Sequence, residues 1–105
     1  MGDRVEIAGT APIPPAGEPV AATAYEQMLR CGAIAVAALD DLGATVGDVV
    51  RTRMFITDPS EAEEIGRAHR KVFGSATPAA TMVVVAALLE PGWKVEIEVE
   101  AIVRT

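Results

Sequence analysis

The pattern of apolar and polar residues marks four segments of the chain as β-strands. "RVEIAG", residues 4–9, alternates over its whole length. "VVRTRMFIT", residues 49–57, is rich in the β-branched and aromatic residues that strands favour. Two more strands are predicted at about 81–88 and 93–103, separated by a Pro-Gly break.

The two long strands are expected to have one apolar and one charged face. On strand 49–57, the predicted faces are Val50, Thr52, Met54 and Ile56 against Arg51, Arg53 and Phe55. On the last strand they are Val95, Ile97 and Val99 against Glu96, Glu98 and Glu100. The row of glutamates either faces solvent, with Arg51 and Arg53 as its ion-pair partners, or lines a polar site.

Two helices are predicted between the strands. The first covers about 23–42, because the "TAYE" pattern starting at Thr23 is a capping box and Gly43 is a good terminator. Its apolar stripe consists of Tyr25, Met28, Leu29, Gly32, Val36 and Leu39. The second begins at "DPSE" with Asp58 as the N-cap, and Gly74 ends it. Its stripe is Ile65, Ala68, His69, Val72 and Phe73.

The order strand, helix, strand, helix, strand, strand favours an α/β (α+β) two-layer sandwich, with a mixed sheet and both helices packed on one face. A chain of 105 residues is expected to form a single domain, 1–105. Half of its residues are hydrophobic, which is a large share for so short a chain. We therefore expect partner subunits to cover part of its apolar surface.

Charge and composition exclude several classes of function. A net charge of −6 and the lack of a basic run argue against a nucleic-acid partner. A single cysteine, Cys31, allows no intrachain disulfide and fits a reducing compartment. With no secretion signal or membrane-spanning stretch, the expected location is the cytoplasm. His69 is the one histidine, so no metal site is predicted, and no motif indicates a cofactor.

Several separated blocks of the sequence resemble the Rid family, also called the YjgF or endoribonuclease L-PSP family. They are "VEIAGTAPI" (5–13), "GATVGDVVRTRMFITD" (43–58) and "TPAATMVVVAALLEPGWKVEIEVEAIV" (77–103), in the family's order. The resemblance implies a chorismate-mutase-like fold and a homotrimer with its helices outside. It also implies that small-molecule ligands bind in clefts between subunits.

The same resemblance assigns candidate site residues. Glu96 matches a glutamate thought to position the attacking water when family members hydrolyse enamines and imines, and Glu98 is the match in an alternative register. Ala80 stands where those deaminases have a substrate-binding arginine, so the resemblance makes archetypal deaminase activity doubtful. Five residues are expected to line the ligand cleft, four from the matching segments and one from the second helix: Thr10, Ala80, Thr81, Met82 and His69.

These features support three hypotheses about function. The first is a trimeric Rid-family protein that binds a small metabolite between subunits and is a divergent imine or enamine hydrolase. The second is a binding or chaperone-like module without chemistry. The third, which the acidic balance disfavours, is the endoribonuclease or translation-inhibitor activity from which the family takes one of its names.

His69 also has an alternative interpretation, in which it is a partly buried helix residue with one hydrogen bond.

Overall fold

The computed structural model describes residues 2–103 as two helices and a four-stranded sheet. The elements in chain order are β1 (Arg4–Thr10), α1 (Ala24–Asp41), β2 (Val49–Ile56), α2 (Ala62–Phe73), β3 (Ala79–Val84) and β4 (Val95–Ile102). Single 3₁₀ turns precede β2 and α2, and a third follows α2.

The sheet is mixed, with the strand order β1-β4-β2-β3. β4 lies at its centre and pairs antiparallel with both β1 and β2, whereas β3 pairs parallel with β2. A parallel pair requires a crossover connection, and α2 provides it between β2 and β3. Both helices pack on one face of the sheet, which confirms the predicted two-layer α+β sandwich.

The core lies between the helices and the apolar face of β4. Every second residue of β4, from Val95 to Ala101, is buried, and the residues between them are half-buried. The largest other buried side chains come from the two helices and from the neighbouring strand β2: Met28, Leu39, Ile56, Ile65 and Phe73. The prediction that Val95, Ile97 and Val99 pack under the helices is therefore confirmed.

Helix α1 begins at the predicted N-cap, since the Thr23 hydroxyl accepts the N–H of Glu26 at 3.1 Å. The Glu26 carboxylate accepts a hydrogen bond from the Thr23 hydroxyl at 2.9 Å, whereas a capping box would place it on the Thr23 backbone N–H. Its buried face differs partly from the predicted stripe and consists of Ala24, Gln27, Met28, Cys31, Gly32, Ala35 and Leu39. Small residues replace large ones on this face because α2 approaches closely. A Cβ added to Gly32 would lie 2.9 Å from a methyl carbon of Val72.

Three details of the strands differ from the sequence-based expectation. β3 covers 79–84 instead of 81–88, because its partner β2 ends at Ile56 and the last bond across the pair joins Val85 N–H to the Ile56 carbonyl. β4 covers 95–102 instead of 93–103, because Trp93 still closes a turn by donating to Glu90. An irregularity in the β2–β4 pairing buries Val49, and Val50 is only half-buried.

The start of the second helix also differs slightly. Asp58 caps a 3₁₀ turn, accepting from the N–H of Ser60 at 2.9 Å, and regular α-helix begins at Ala62. None of the helices described within residues 2–103 is both long and apolar enough to cross a bilayer.

Candidate functional site

The sheet face away from the helices carries most of the charged strand residues. We call it the open face, and its members on β2, β3 and β4 are Arg51, Arg53, Phe55, Thr81, Glu96, Glu98 and Glu100. All seven are half-buried in a single chain. The sequence pattern therefore predicted the faces of Arg51, Arg53, Phe55 and the three glutamates correctly, whereas Thr81 was not assigned to a face.

Two of the three glutamates form ion pairs on this face. Arg53 Nη1 lies 2.6 Å from a carboxylate oxygen of Glu100 and 3.9 Å from one of Glu98. Arg4 Nη2 binds the other oxygen of Glu100 at 2.5 Å, and the Glu100 side chain is only 12% exposed. The hydrogen bond from Arg53 and the charges of both arginines hold the pKa of Glu100 below its ordinary value. Arg53 is thus the predicted partner of the glutamates.

Glu96 differs from its two neighbours because it makes no ion pair within residues 2–103. Its carboxylate lies against Gly9, where the β1–β4 pairing is irregular. A Cβ added to Gly9 would overlap Oε2 of Glu96, so glycine makes room for the carboxylate. The open face therefore has one carboxylate that no cation of the described chain neutralises.

The candidates on β3 are divided between the two sides of the sheet. Ala80 pairs with Thr52 and Met82 with Met54, so both lie on the helix side, where Ala80 is exposed and Met82 packs on the core. Thr81 faces the other way, and its hydroxyl accepts a 2.8 Å hydrogen bond from Arg51 Nη2. Among the ligand-contact candidates, Thr81 alone shares the open face with Glu96 and Glu98.

Thr10 and His69 also lie on the helix side. Thr10 is buried, pairs with Ile97 and donates its hydroxyl proton to the carbonyl of Ala8 at 2.9 Å. His69 is 8% exposed, and its Nε2 shares a 2.7 Å hydrogen bond with the Thr52 hydroxyl. His69 is thus placed as in the alternative interpretation, a largely buried helix residue with one hydrogen bond. The ligand contacts of Thr10 and His69 stay predictions.

The free energy of unfolding should depend on pH through His69. Burial, assisted by the nearby charge of Arg70, lowers the pKa of His69 below its ordinary value of 6.5. The unfolded chain then binds this proton more readily than the folded chain does. The contribution of His69 to the free energy of unfolding is therefore fully present above pH 6.5 and is lost as the pH drops below it.

Urea unfolding of the wild type and of His69→Gln at pH 7.5 and 5.5 measures this effect. Since the chain has no second histidine, the variant should lose less stability over this interval than the wild type. Equal losses in both proteins would contradict the account of His69.

Two contacts near the site were not predicted from the sequence. Arg51 was expected to pair with the glutamates and instead binds Thr81. Gln27 is 1% exposed and links α1 to the loop before it and to the loop before β4. Its Nε2 donates to the carbonyls of Ala21 and Gly92 at 3.0 Å, and its Oε1 accepts from the N–H of Lys94 at 2.8 Å. The one available signal was a lone amide on the inner side of a helix.

Other reactive groups in the described chain offer no alternative centre. Cys31 is fully buried, and burial raises its pKa to about 12, so its thiol is a poor nucleophile. Within residues 2–103, no three His, Cys, Asp or Glu side chains are grouped in a way that suits a metal ion. The open face remains the candidate site.

Comparison with known proteins gives one consistent relationship. The family profile described as Endoribonuclease L-PSP matches residues 1–103. An uncharacterised protein of Streptomyces coelicolor is 33% identical over 105 residues, covering 95% of this chain and 75% of that protein. A RutC family protein of Pyrococcus abyssi is 32% identical over 103 residues, covering 97% of this chain and 79% of that protein.

Solved structures agree with this relationship. A member of the YjgF/YER057c/UK114 family from Mycobacterium tuberculosis has 41% sequence identity and a TM-score of 0.78, with 98% of this chain and 81% of that chain covered. A member of the Rid family from Yersinia pestis has 30% identity and a TM-score of 0.89, with 98% and 82% covered.

Proposed function

Since the chain belongs to the Endoribonuclease L-PSP family, also known as the YjgF or Rid family, we propose that it is a homotrimer that binds a small imine or carbonyl compound in clefts between its subunits. In this proposal the open face points toward the interior of the trimer, and Glu96 directs a water molecule at the bound carbon. The protein is then a divergent imine hydrolase.

The uncovered sheet face and the unpaired edge strand of the single chain support the proposed oligomer. Helices cover only one face of the sheet, and β3 is an edge strand whose second side is unpaired within residues 2–103. Val83 and Val84 on this edge are 41% and 56% exposed. Exposed apolar edges favour association with another chain, and further copies of the same chain would cover this one.

The observation that carries the chemical part of the proposal is the unpaired carboxylate of Glu96. A general base needs a free lone pair within reach of a water molecule. Glu100 uses both of its oxygens in ion pairs, and Glu98 is next to Arg53. Glu96 is the open-face acid with no such partner in the described chain, which favours it over the alternative Glu98.

The proposed reaction consumes one water molecule and involves no change of oxidation state. The water oxygen bonds to the imine carbon as Glu96 takes one proton from the water and passes it to the nitrogen, which gives a carbinolamine. The hydroxyl proton of this intermediate is then transferred to the nitrogen through Glu96, the carbon–nitrogen bond breaks, and a carbonyl compound and ammonia leave. Turnover is expected to be slow, because Ala80 supplies no cation to hold a substrate carboxylate from its side of β3.

Imine hydrolysis by the purified protein tests the proposal. The imine is generated in situ from L-leucine by an amino acid oxidase, and its lifetime is followed with and without the protein. We expect the lifetime to shorten in proportion to protein concentration. If the lifetime stays unchanged at all protein concentrations, the hydrolase is excluded and a binding module without chemistry takes its place.

A further inference from the structure

We infer that the imine hydrolysed by this protein derives from an amine and carries no carboxylate on its reacting carbon. The inference rests on the proposed function, because it specifies the substrate class for the same base, Glu96. It follows from the positions of the positively charged side chains around β4. Within residues 2–103, these side chains are bound to other groups and do not hold a second anion beside the Glu96 carboxylate.

The carboxylate of Glu96 lies on the β1 side of β4, at a β-bulge. Two residues of β1, Ala8 and Gly9, lie opposite the single residue Glu98 of β4. Oε2 of Glu96 occupies the space that a side chain at position 9 would need. We call this part of the open face, formed by Ala8, Gly9 and Glu96, the bulge corner. A reacting carbon within reach of a water molecule held by Glu96 lies over it.

Two arginines on the strands next to β4 are neutralised by other carboxylates. Arg53 Nη1 lies 2.6 Å from Glu100 and 3.9 Å from Glu98. Arg4 bridges Glu6 at 2.7 Å and Glu100 at 2.5 Å. The carboxylate that binds both arginines belongs to a residue four positions along β4 from the base, roughly 13 Å away. Neither guanidinium is therefore directed at the bulge corner.

The other cations of the described chain are held elsewhere. Lys94 Nζ lies 3.4 Å from a carboxylate oxygen of Glu61, in the turn before α2. Arg51 donates from Nη2 to the Thr81 hydroxyl at 2.8 Å, so it leans toward β3, whereas the bulge corner lies on the β1 side of β4. The remaining cations within residues 2–103 belong to the two helices, which pack on the other face of the sheet: Arg30, Arg67, Arg70 and Lys71.

The charges of the substrate decide how an imine fits this corner. In the imine of an amino acid, the carboxylate is bonded to the carbon that the water attacks, so it would lie about 6 Å from the Glu96 carboxylate. Two like charges at this distance in a half-buried site repel enough to slow the reaction by about ten- to a hundredfold. The nitrogen gains a positive charge before the carbon–nitrogen bond breaks, and Glu96 stabilises that charge. The imine of an amine presents this positive charge alone.

Two imines with the same carbon skeleton test the inference. One is generated from L-leucine by an amino acid oxidase. The other is generated by a flavin-dependent monoamine oxidase from 3-methylbutylamine, which is leucine without its carboxylate. The lifetime of each imine is followed with and without the protein, and the uncatalysed rate is subtracted. The wild type should shorten both lifetimes and should hydrolyse the amine-derived imine about ten- to a hundredfold faster at equal protein concentration.

A cation placed at the bulge corner should reduce this preference. Ala8 is exposed, and Ala8→Lys adds an ammonium group that can hold a substrate carboxylate. The ratio of the two hydrolysis rates should fall by about tenfold, and a general loss of base strength cancels in this ratio. Ala37→Lys, at an exposed position of α1, is the matched control because it changes the net charge equally, and it should keep the wild-type ratio. Thermal unfolding verifies that both variants are folded.

The failures are distinguishable. If the wild type hydrolyses the leucine-derived imine as fast as the amine-derived one, or faster, the inference is refuted while the proposed hydrolase remains. If Ala8→Lys keeps the wild-type ratio, or if Ala37→Lys changes it as much, the bulge corner does not select the substrate and the inference is also refuted. If the wild type shortens neither lifetime, the proposed function fails and the inference fails with it.

Discussion

Replacing Gln27 with leucine should lower the free energy of unfolding by about 2–4 kcal/mol, because it removes three hydrogen bonds at a buried position and leaves their backbone partners without a substitute. The two carbonyls and one N–H belong to Ala21, Gly92 and Lys94, so the loss loosens both loops that meet α1. For a domain of this size, the melting temperature should drop by about 10–20 °C.

Ala37→Leu is the matched control, since it places the same side chain at an exposed position of the same helix. Surface substitutions of this kind change stability by about 0.5 kcal/mol or less. Urea unfolding of both variants at one protein concentration gives the comparison. A Gln27→Leu protein as stable as Ala37→Leu would show that water replaces the amide without loss.

Replacing Glu96 with glutamine should lower the rate of imine hydrolysis by about 10²–10⁴-fold, the usual contribution of a positioned general base. Glutamine keeps the size of the side chain and its fit against Gly9, but its amide cannot accept a proton from water. The structure should therefore be preserved, and the melting temperature of the variant verifies this. Steady-state rates at several imine concentrations give the effect on turnover.

Glu98→Gln decides between the two glutamates that the sequence left open. Glu63→Gln, at an exposed position of α2, serves as the control and should leave the rate unchanged. Because the carboxylate of Glu96 makes no ion pair in the described chain, we expect Glu96→Gln to lower the hydrolysis rate more than Glu98→Gln does. A larger loss in Glu98→Gln would assign the base to Glu98 instead and would make Glu96 a neighbour without a chemical role.

The sequence was sufficient to predict the architecture. Period-two alternation marked β1 and β4, β-branched and aromatic residues marked β2, and an apolar run marked β3. The capping-box pattern at Thr23 and the acid at Asp58 marked the helix starts. Alternation also placed Glu96, Glu98 and Glu100 on one face, because side-chain direction along a strand depends only on parity. The ends of β3 depend on where its partner β2 ends, which local pattern does not contain.

The partners of charged residues could not be predicted in the same way. Their odd-numbered positions along the strand placed Arg51 and Arg53 on the glutamate face, but the position does not determine which oxygen a long side chain reaches. Arg53 binds Glu100, whereas Arg51 turns to a hydroxyl on the other neighbouring strand. Gln27 was missed because a buried amide is recognised by the three backbone groups around it, and these come from distant parts of the chain.

The mass of the protein in solution tests most directly whether other copies of the chain close the open face. Light scattering at micromolar concentration should give three times the 10.9 kDa mass of the chain. A stable monomer at that concentration would leave the open face in solvent. It would contradict both the intersubunit cleft and the role proposed for Glu96 within it.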